Sequence, residues 1–307
     1  MKIKIIQMLF AIVCAVVFIS GGAFALNMPE QGGASAAKVA QAQHKVTLKI
    51  MTINVRHNMD FWEERFPLIA DEIVRLKPDL IGFQEMEVDI NQSKTLLDLI
   101  AKRVGPDGLK YEKYDHLKTG GDMIWGEGIS IFSRYPIEKK EFADLGHGRI
   151  VLHERIKVAD GLSVDFYNTH LHNEGGDKIT VPQAQKIAEF AEKNDAGFPI
   201  FLTGDMNSIE GSRTIDYYTA NSFIDTYRAF HGAETAVTGN TSTVILSKKN
   251  VQQNFTERID FIFMKVPEDW EDQMKIIDSV VCFKNHDEQG LYPSDHLGVI
   301  TTFEITY

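Results

Sequence analysis

Short apolar runs rich in β-branched and aromatic residues recur along the chain. They are Leu48-Lys49-Ile50-Met51-Thr52-Ile53, Leu80-Ile81-Gly82-Phe83, Ile129-Ser130-Ile131-Phe132 and Leu162-Ser163-Val164-Asp165-Phe166-Tyr167, then Phe198-Pro199-Ile200-Phe201-Leu202, Ile259-Asp260-Phe261-Ile262-Phe263 and Leu297-Gly298-Val299-Ile300-Thr301-Thr302-Phe303. Their length and composition predict strands. Helical spacing appears between some of them, from Phe66 to Leu76 and from Val181 to Lys193. Pro67 and Pro182 lie near the expected helix starts, where a missing amide donor costs little. The pattern predicts an α/β chain whose helices cover packed sheets. It also repeats weakly. A strand, Asn54, a helix, Pro78, a strand and Glu85 are followed later by a strand, Asn168-Thr169-His170, a helix, Pro199, a strand and Asp205. Two such units packed face to face bring four strand ends to one rim, the place where open sheets hold ligands.

The first 25 residues differ in kind. Lys2 and Lys4 precede an apolar run from Ile5 to about Ile19, and Ala23-Phe24-Ala25 follows. That order predicts a secretory signal peptide cleaved after Ala25 and a secreted or periplasmic protein. The run is short for a membrane span, which needs about 20 apolar residues, so no stable membrane anchor is expected after cleavage. Cys14 sits within the run behind Ala11-Ile12-Val13, an order that does not suit lipid attachment. Residues 26–44, rich in Ala, Gln and Gly, read as a flexible leader, and residues 45–307 as one catalytic domain. Two lysines and no acid leave with the signal peptide, so the formal charge moves from −11 to −13. A chain so acidic repels phosphate backbones at long range, and nucleic-acid binding would have to be local or metal-assisted. Cys282 would then stand alone, without an intrachain disulfide.

Polar groups cluster where the apolar runs stop. Thr203-Gly204-Asp205-Met206-Asn207 places two oxygen-bearing side chains at i and i+2, which face the same way if the chain is still extended. The same residues are good turn chemistry. Glu85 ends Ile81-Gly82-Phe83-Gln84-Glu85, and Asn54 ends the first run. Each alone reads as a loop residue or a cap; together they offer hard oxygen ligands of the kind Mg²⁺ takes. His170 follows another strand, while Asp295 and His296 precede the last. Asp260 lies inside an apolar run, where a carboxylate needs a partner; a histidine is the natural one.

In this order the segments MTINVR, GFQE, GISIFSRYPI, YNTHL, LTGDMN, RIDFIF and PSDHLGV resemble the metal-dependent endonuclease/exonuclease/phosphatase superfamily over about residues 46–307. The superfamily includes pancreatic-type deoxyribonucleases, abasic-site endonucleases, bacterial sphingomyelinases and inositol polyphosphate 5-phosphatases. The resemblance implies a four-layer α/β/β/α sandwich, two packed mixed sheets flanked by helices, with its site at one rim. Asn54 and Glu85 look like ligands of Mg²⁺, with Mn²⁺ as a substitute, and Asp295 lies beside the metal in that pattern. His170 resembles the group that hydrogen-bonds the scissile phosphate or assists the leaving oxygen. Asp205 and Asn207 resemble the pair that positions water and phosphate, and Asp260 the acid that orients and charges His296. Glu127 matches an acid that pairs with the first histidine in the deoxyribonuclease branch. The implied protein is a monomeric phosphodiesterase acting on a nucleic acid or a phospholipid headgroup. A phosphomonoesterase on small molecules and a noncatalytic module of the same fold are the alternatives. Arg56, Arg134, Lys248, Lys249 and Arg258 are the cations available to a nuclease cleft, and Trp270, Phe283 and Tyr292 the aromatics available to a lipid interface.

Overall fold

A computed structural model describes residues 44–118, 126–232, 239–242 and 255–307. The expected signal peptide, all but the last residue of the expected leader, and Lys248 and Lys249 lie outside the described residues. One sheet is built from β1 (Lys45–Asn54), β2 (Leu80–Glu87), β3 (Glu112–Leu117), β4 (Glu127–Ser133), β11 (Met274–Cys282) and β12 (Gly298–Thr306), in the order β11-β12-β1-β2-β4-β3. The other holds β5 (Ile137–Gly146), β6 (Arg149–Ala159), β7 (Leu162–His170), β8 (Ile200–Asp205), β9 (Ile224–Asp225) and β10 (Asp260–Lys265), in the order β5-β6-β7-β8-β10-β9. In each sheet one parallel pair, β1 with β2 or β7 with β8, is flanked by antiparallel strands. The helices α1 (Trp62–Leu76) and α3 (Asp177–Lys193) make the two crossovers. The internal repeat is therefore two βαβ units at equivalent places in two mixed sheets.

Period-two alternation assigns the apolar side chains to layers. Leu48 and Ile50 of β1 join Val164 and Phe166 of β7 and Phe201 of β8 in a core between the sheets. Met51 and Ile53 face the other way, against Phe66, Ile69 and Ile73 of α1 and Leu96 and Ile100 of α2 (Gln92–Val104). Tyr167 and Leu202 pack outward on Ala184 and Ile187 of α3 and on Ile215 and Tyr218 of α4 (Arg213–Ala220). Three apolar seams thus separate four layers, helix, sheet, sheet, helix. The short α5 (Thr226–His231) follows β9.

Near one rim the central seam turns polar. Asn168 Oδ1 accepts from Gln84 Nε2 at 2.6 Å and Thr203 Oγ1 at 3.2 Å, while its Nδ2 donates to Phe83 O at 2.9 Å and Ser130 O at 3.0 Å. This fully buried amide from one sheet is bonded chiefly to the other. The sheets approach so closely here that a Cβ on Gly82 would lie 2.2 Å from Thr203 Oγ1.

Two sequence expectations need revision. Both crossover helices begin about a turn early, so Pro67 and Pro182 are each the sixth helical residue rather than near the start. The missing N–H is thus an interior one. The earlier turns are polar, with Glu63, Glu64 and Asp177 favourably placed at helix N-termini, and apolar spacing did not mark them. The edge strand β5 and its neighbour β6 also escaped, because β5 is largely solvated and β6 buries polar groups. Among these, His153 and Arg155 both reach Asp165 Oδ1, at 2.8 and 2.9 Å.

Glu154 on β6 is fully buried and neither carboxylate oxygen has a hydrogen-bond partner among the described residues. Burial pushes its pKa up to about 8, the acids Glu112 and Asp115 add to the shift, and Lys140 opposes it. The unfolded chain releases this proton near pH 4.5 and the folded chain only near pH 8. Folding is therefore opposed progressively as pH rises through that window, by on the order of 5 kcal/mol in total. Glu154→Gln is expected to remove this component, measured as guanidinium unfolding midpoints of both proteins from pH 5 to pH 9. A decline as steep in the variant would assign the pH dependence elsewhere.

Candidate active site

Strand direction assembles the site. Parallel β1, β2, β7 and β8 carry Asn54, Glu85, His170 and Asp205 at or near their C-terminal ends. Their antiparallel neighbours begin at the same rim, so Glu127 opens β4, Asp260 opens β10, and Asp295 and His296 immediately precede β12. In the β7–β8–β10 register His170 lies opposite Asp205 and Asp205 opposite Asp260. Glu85 sits at a β-bulge with φ 56°, a left-handed conformation that interrupts the ladder and re-aims its side chain.

Asp205 is the hub. Asn54 Nδ2 donates at 3.0 Å to both Asp205 Oδ2 and Glu85 Oε1. The same Asp205 oxygen lies 3.6 Å from His170 Nε2 and 3.7 Å from His296 Nε2. His296 is backed by Asp260, with Nδ1 to Oδ2 at 2.9 Å. Asn207 is near the hub in a manner that differs from the extended geometry expected. It has φ 44°, its backbone N–H donates to Asp205 Oδ1 at 3.0 Å, and its Nδ2 donates to Leu171 O at 2.9 Å. Asp205 is at once the turn-former and the centre of the cluster. Asp295 is held by Arg56 Nη1, and Ser294 Oγ ties this loop to Asn54 O at 2.6 Å. Glu127 Oε1 is 3.8 Å from His170 Nδ1, beyond a hydrogen bond, and is engaged by Lys118.

Neighbours drive the two histidines apart. Burial lowers the pKa of His170 well below the usual value, and Arg149 and Lys118 push the same way, so this ring is neutral. Burial would also lower that of His296, but Asp260 and Asp205 outweigh it and hold the ring as an imidazolium. Asp205 is pushed up to about 7 by burial, against the pull of His296. Glu85 ends below its usual value because the amide of Asn54 and the charge of His296 overcome its burial. Opposed protonation of two like groups is the usual mark of divided acid and base roles.

The donors fit a hard divalent cation. Buried carboxylates that face each other need positive charge or N–H groups between them, and Glu85 and Asp205 converge on one amide. Glu85, Glu127 and His170 also offer ligand atoms within 4.8 Å of one another, as do Asp205, Asp260 and His296. Asp295 joins neither group.

Comparison with known proteins follows this geometry. The model of the endonuclease/exonuclease/phosphatase family matches residues 51–296. The chain belongs to that family. Its members are metal-dependent hydrolases of phosphoester bonds. Among solved structures, the chain is similar to a family protein from Bacteroides thetaiotaomicron, with 21% identity, TM-score 0.67, and coverage of 85% of this chain and 99% of that one. It is also similar to a mannosyl-6-phosphatase from the same organism, at 22% identity, TM-score 0.65, and coverage of 83% and 99%. TDP2 from D. rerio, solved with a single-strand DNA product, gives 16% identity, TM-score 0.65, and coverage of 84% and 98%. At such identities the likeness shows the fold. Protein angel of Drosophila melanogaster is 22% identical over 190 residues, 54% of this chain and 49% of that protein. The match thus spans about half the length of the curated relative.

Two cations beside the cluster carried no sequence signal. Lys118, partly buried, and Arg149, buried, lie near Glu127, and Arg149 Nη1 has no hydrogen-bond partner among the described residues. Of the cations considered for a nuclease cleft, Arg56 is in the site, Arg134 pairs with Asp79, and Arg258 pairs with Asp225. Phe283 is core, Trp270 Nε1 donates to Gly197 O, and Tyr292 packs on Phe255.

Arg65 of α1 organises the rim without touching the cluster. It is fully buried and reaches six backbone carbonyls, those of Val55, Arg56, His57, Met59, Asp60 and Pro293. Arg56, His57 and Asp60 in that loop have positive φ, so the clamp holds strained backbone and ties it to the segment bearing Asp295 and His296. Lysine has three donors and no planar fork. Arg65→Lys is expected to cost at least about 2 kcal/mol of stability and to lower turnover although no group of the cluster changes. Calorimetric melting and steady-state kinetics check this, and wild-type values in both would show that the loop is held by other contacts.

Proposed function

We propose that this chain hydrolyses phosphoester bonds and that a phosphodiester, in a nucleic acid or a phospholipid headgroup, is its substrate. The observation that carries the reading is the convergence of Asn54, His170 and His296 on the single carboxylate of Asp205, with Asp260 behind His296. Glu85 and Asn54, with Asp295 alongside, would hold a divalent cation, Mg²⁺ or Mn²⁺, which when bound neutralises charge on the phosphoryl oxygens. Asp205 orients the attacking water and draws its proton. The imidazolium of His296 lies beside that carboxylate and supplies positive charge as the phosphorus becomes pentacovalent. Neutral His170 donates a hydrogen bond to the scissile group or to the departing oxygen. Asn207 locks Asp205 through its backbone N–H and takes part in placing water and phosphate.

A second reading, a phosphomonoesterase on small phosphorylated molecules, is supported by the likeness to the mannosyl-6-phosphatase. The acidic balance of the chain also weighs against a nonspecific grip on nucleic acid. Export completes the proposal: the charged start, apolar run and Ala23-Phe24-Ala25 support cleavage after Ala25 and a secreted or periplasmic protein.

Asp205→Ala and His296→Ala are each expected to lower turnover of bis(p-nitrophenyl) phosphate at least ~100-fold while circular dichroism stays that of the folded protein. Plasmid DNA, RNA, sphingomyelin and inositol phosphates, each with Mg²⁺ and with chelator, identify the substrate. Near wild-type rates in either variant, or turnover indifferent to chelator, would end this mechanism.

A further inference from the structure

Asp260 and His296 reach each other from different sheets. Asp260 opens β10, and His296 lies just before β12. These two strands share no ladder among the described residues, so backbone pairing does not set the 2.9 Å bond that His296 Nδ1 donates to Asp260 Oδ2. The carboxylate itself adds little restraint. It is fully buried, and its Oδ1 has no hydrogen-bond partner among the described residues, so the ring is the one group that grips this side chain. Its position is left to the main chain that carries it.

Thr241 ties the two carriers together. Its hydroxyl oxygen accepts from Ile259 N at 3.3 Å and from Asp260 N at 3.2 Å, while its carbonyl accepts from Leu297 N, next to His296, at 2.6 Å. Its own N–H donates to Glu257 O at 2.8 Å. The following residue, Ser242, makes single β-bridges to both Glu257 and His296. The segment is closely seated: a Cβ on Gly239 would lie 2.7 Å from Tyr227 Cε1 and 2.9 Å from Arg258 Cδ. Thr241 is itself fully buried. A buried amide that loses its acceptor has no water to turn to, so without this hydroxyl the backbone at Asp260 would shift toward another partner.

We propose that Thr241 is a positioning residue of the hydrolase, which acts through the Asp260–His296 pair by fixing, across the two sheets, where the carboxylate meets the ring. The assignment rests on the hydrolase reading and adds to it a residue that lies outside the strand-end cluster. Thr241 bonds to backbone only, so its effect belongs to the alignment of charge during the reaction rather than to substrate binding.

Thr241→Val keeps the shape of the side chain and removes the hydroxyl. With bis(p-nitrophenyl) phosphate and Mg²⁺, kcat is expected to fall at least roughly tenfold while KM stays within about twofold, and Thr241→Ser to recover most of the loss. Proton NMR supplies a measurement that needs no turnover. The low-field Nδ1–H resonance of His296, assigned by its absence in His296→Ala, is expected to shift in Thr241→Val and to return in Thr241→Ser. Thr241→Ala replaces the valine variant should that one not fold. An unmoved resonance, a kcat that stays at the wild-type value, or a serine variant no better than the valine one would overturn the proposal. Loss of the fold in both the valine and alanine variants would also overturn it, in favour of a purely structural role. Absence of turnover in the wild-type protein, with the resonance shift retained, would count instead against the hydrolase reading.

Discussion

The two sheets of this protein must meet in one register, because neither carries a complete site. Asn54, Glu85 and Glu127 come from one sheet, His170, Asp205 and Asp260 from the other. Apolar packing alone allows neighbouring sheets to slide at little cost, since dispersion and burial are not directional. The amide of Asn168 supplies the missing direction. It spends its full hydrogen-bonding capacity on Gln84, Thr203 and the carbonyls of Phe83 and Ser130. Asn168 is two residues from His170, Gln84 one from Glu85, and Thr203 two from Asp205. A shift of either sheet would leave buried polar groups unsatisfied, at about 1–3 kcal/mol each. The seam that fixes the fold therefore also fixes the distances within the site.

Above that seam the protein concentrates charge that would be unfavourable elsewhere. Asp205, Asp260, His170 and His296 are all at most 8% exposed. They are tolerable because each has a defined electrostatic neighbour, and the neighbours differ. Asp260 and Asp205 hold His296 charged, while Lys118 and Arg149 help burial keep His170 neutral. Two rings in contact with one carboxylate thus take different protonation states. Arg65 meets the same burial problem with no carboxylate at all, spreading its charge over six carbonyls and so converting a desolvation cost into a rigid loop. Arg228 and Arg258 use a third solution, pairing directly with the carboxylates of Glu210 and Asp225.

Much of this was legible in the chain. Seven apolar runs became strands, two helical patterns became the crossovers, and the weak repeat became the matched parallel pairs. Asn54, Glu85, His170, Asp205 and His296 stood at strand ends or starts and Asp260 within an apolar run, and the sheets bring them together. β5, polar along most of its length, left no such trace, and in β6 the apolar face of Ile150, Leu152, Ile156 and Val158 is interleaved with His153 and Glu154, buried polar groups whose surroundings are set by residues far away in the chain. Lys118, Arg149 and Arg65 were silent for the same reason.

By itself, then, the sequence determined which segments are strands and helices and which chemical groups end them, since side-chain periodicity and the polarity of strand termini are local properties. Only the tertiary structure decided that Asp205 is the hub, that Asn207 turns back instead of pointing alongside it, that Asp295 is held by Arg56, and that Glu127 faces Lys118 more closely than His170. Those outcomes depend on distances across two sheets and on burial that shifts with every neighbour, and neither quantity exists until the layers are packed.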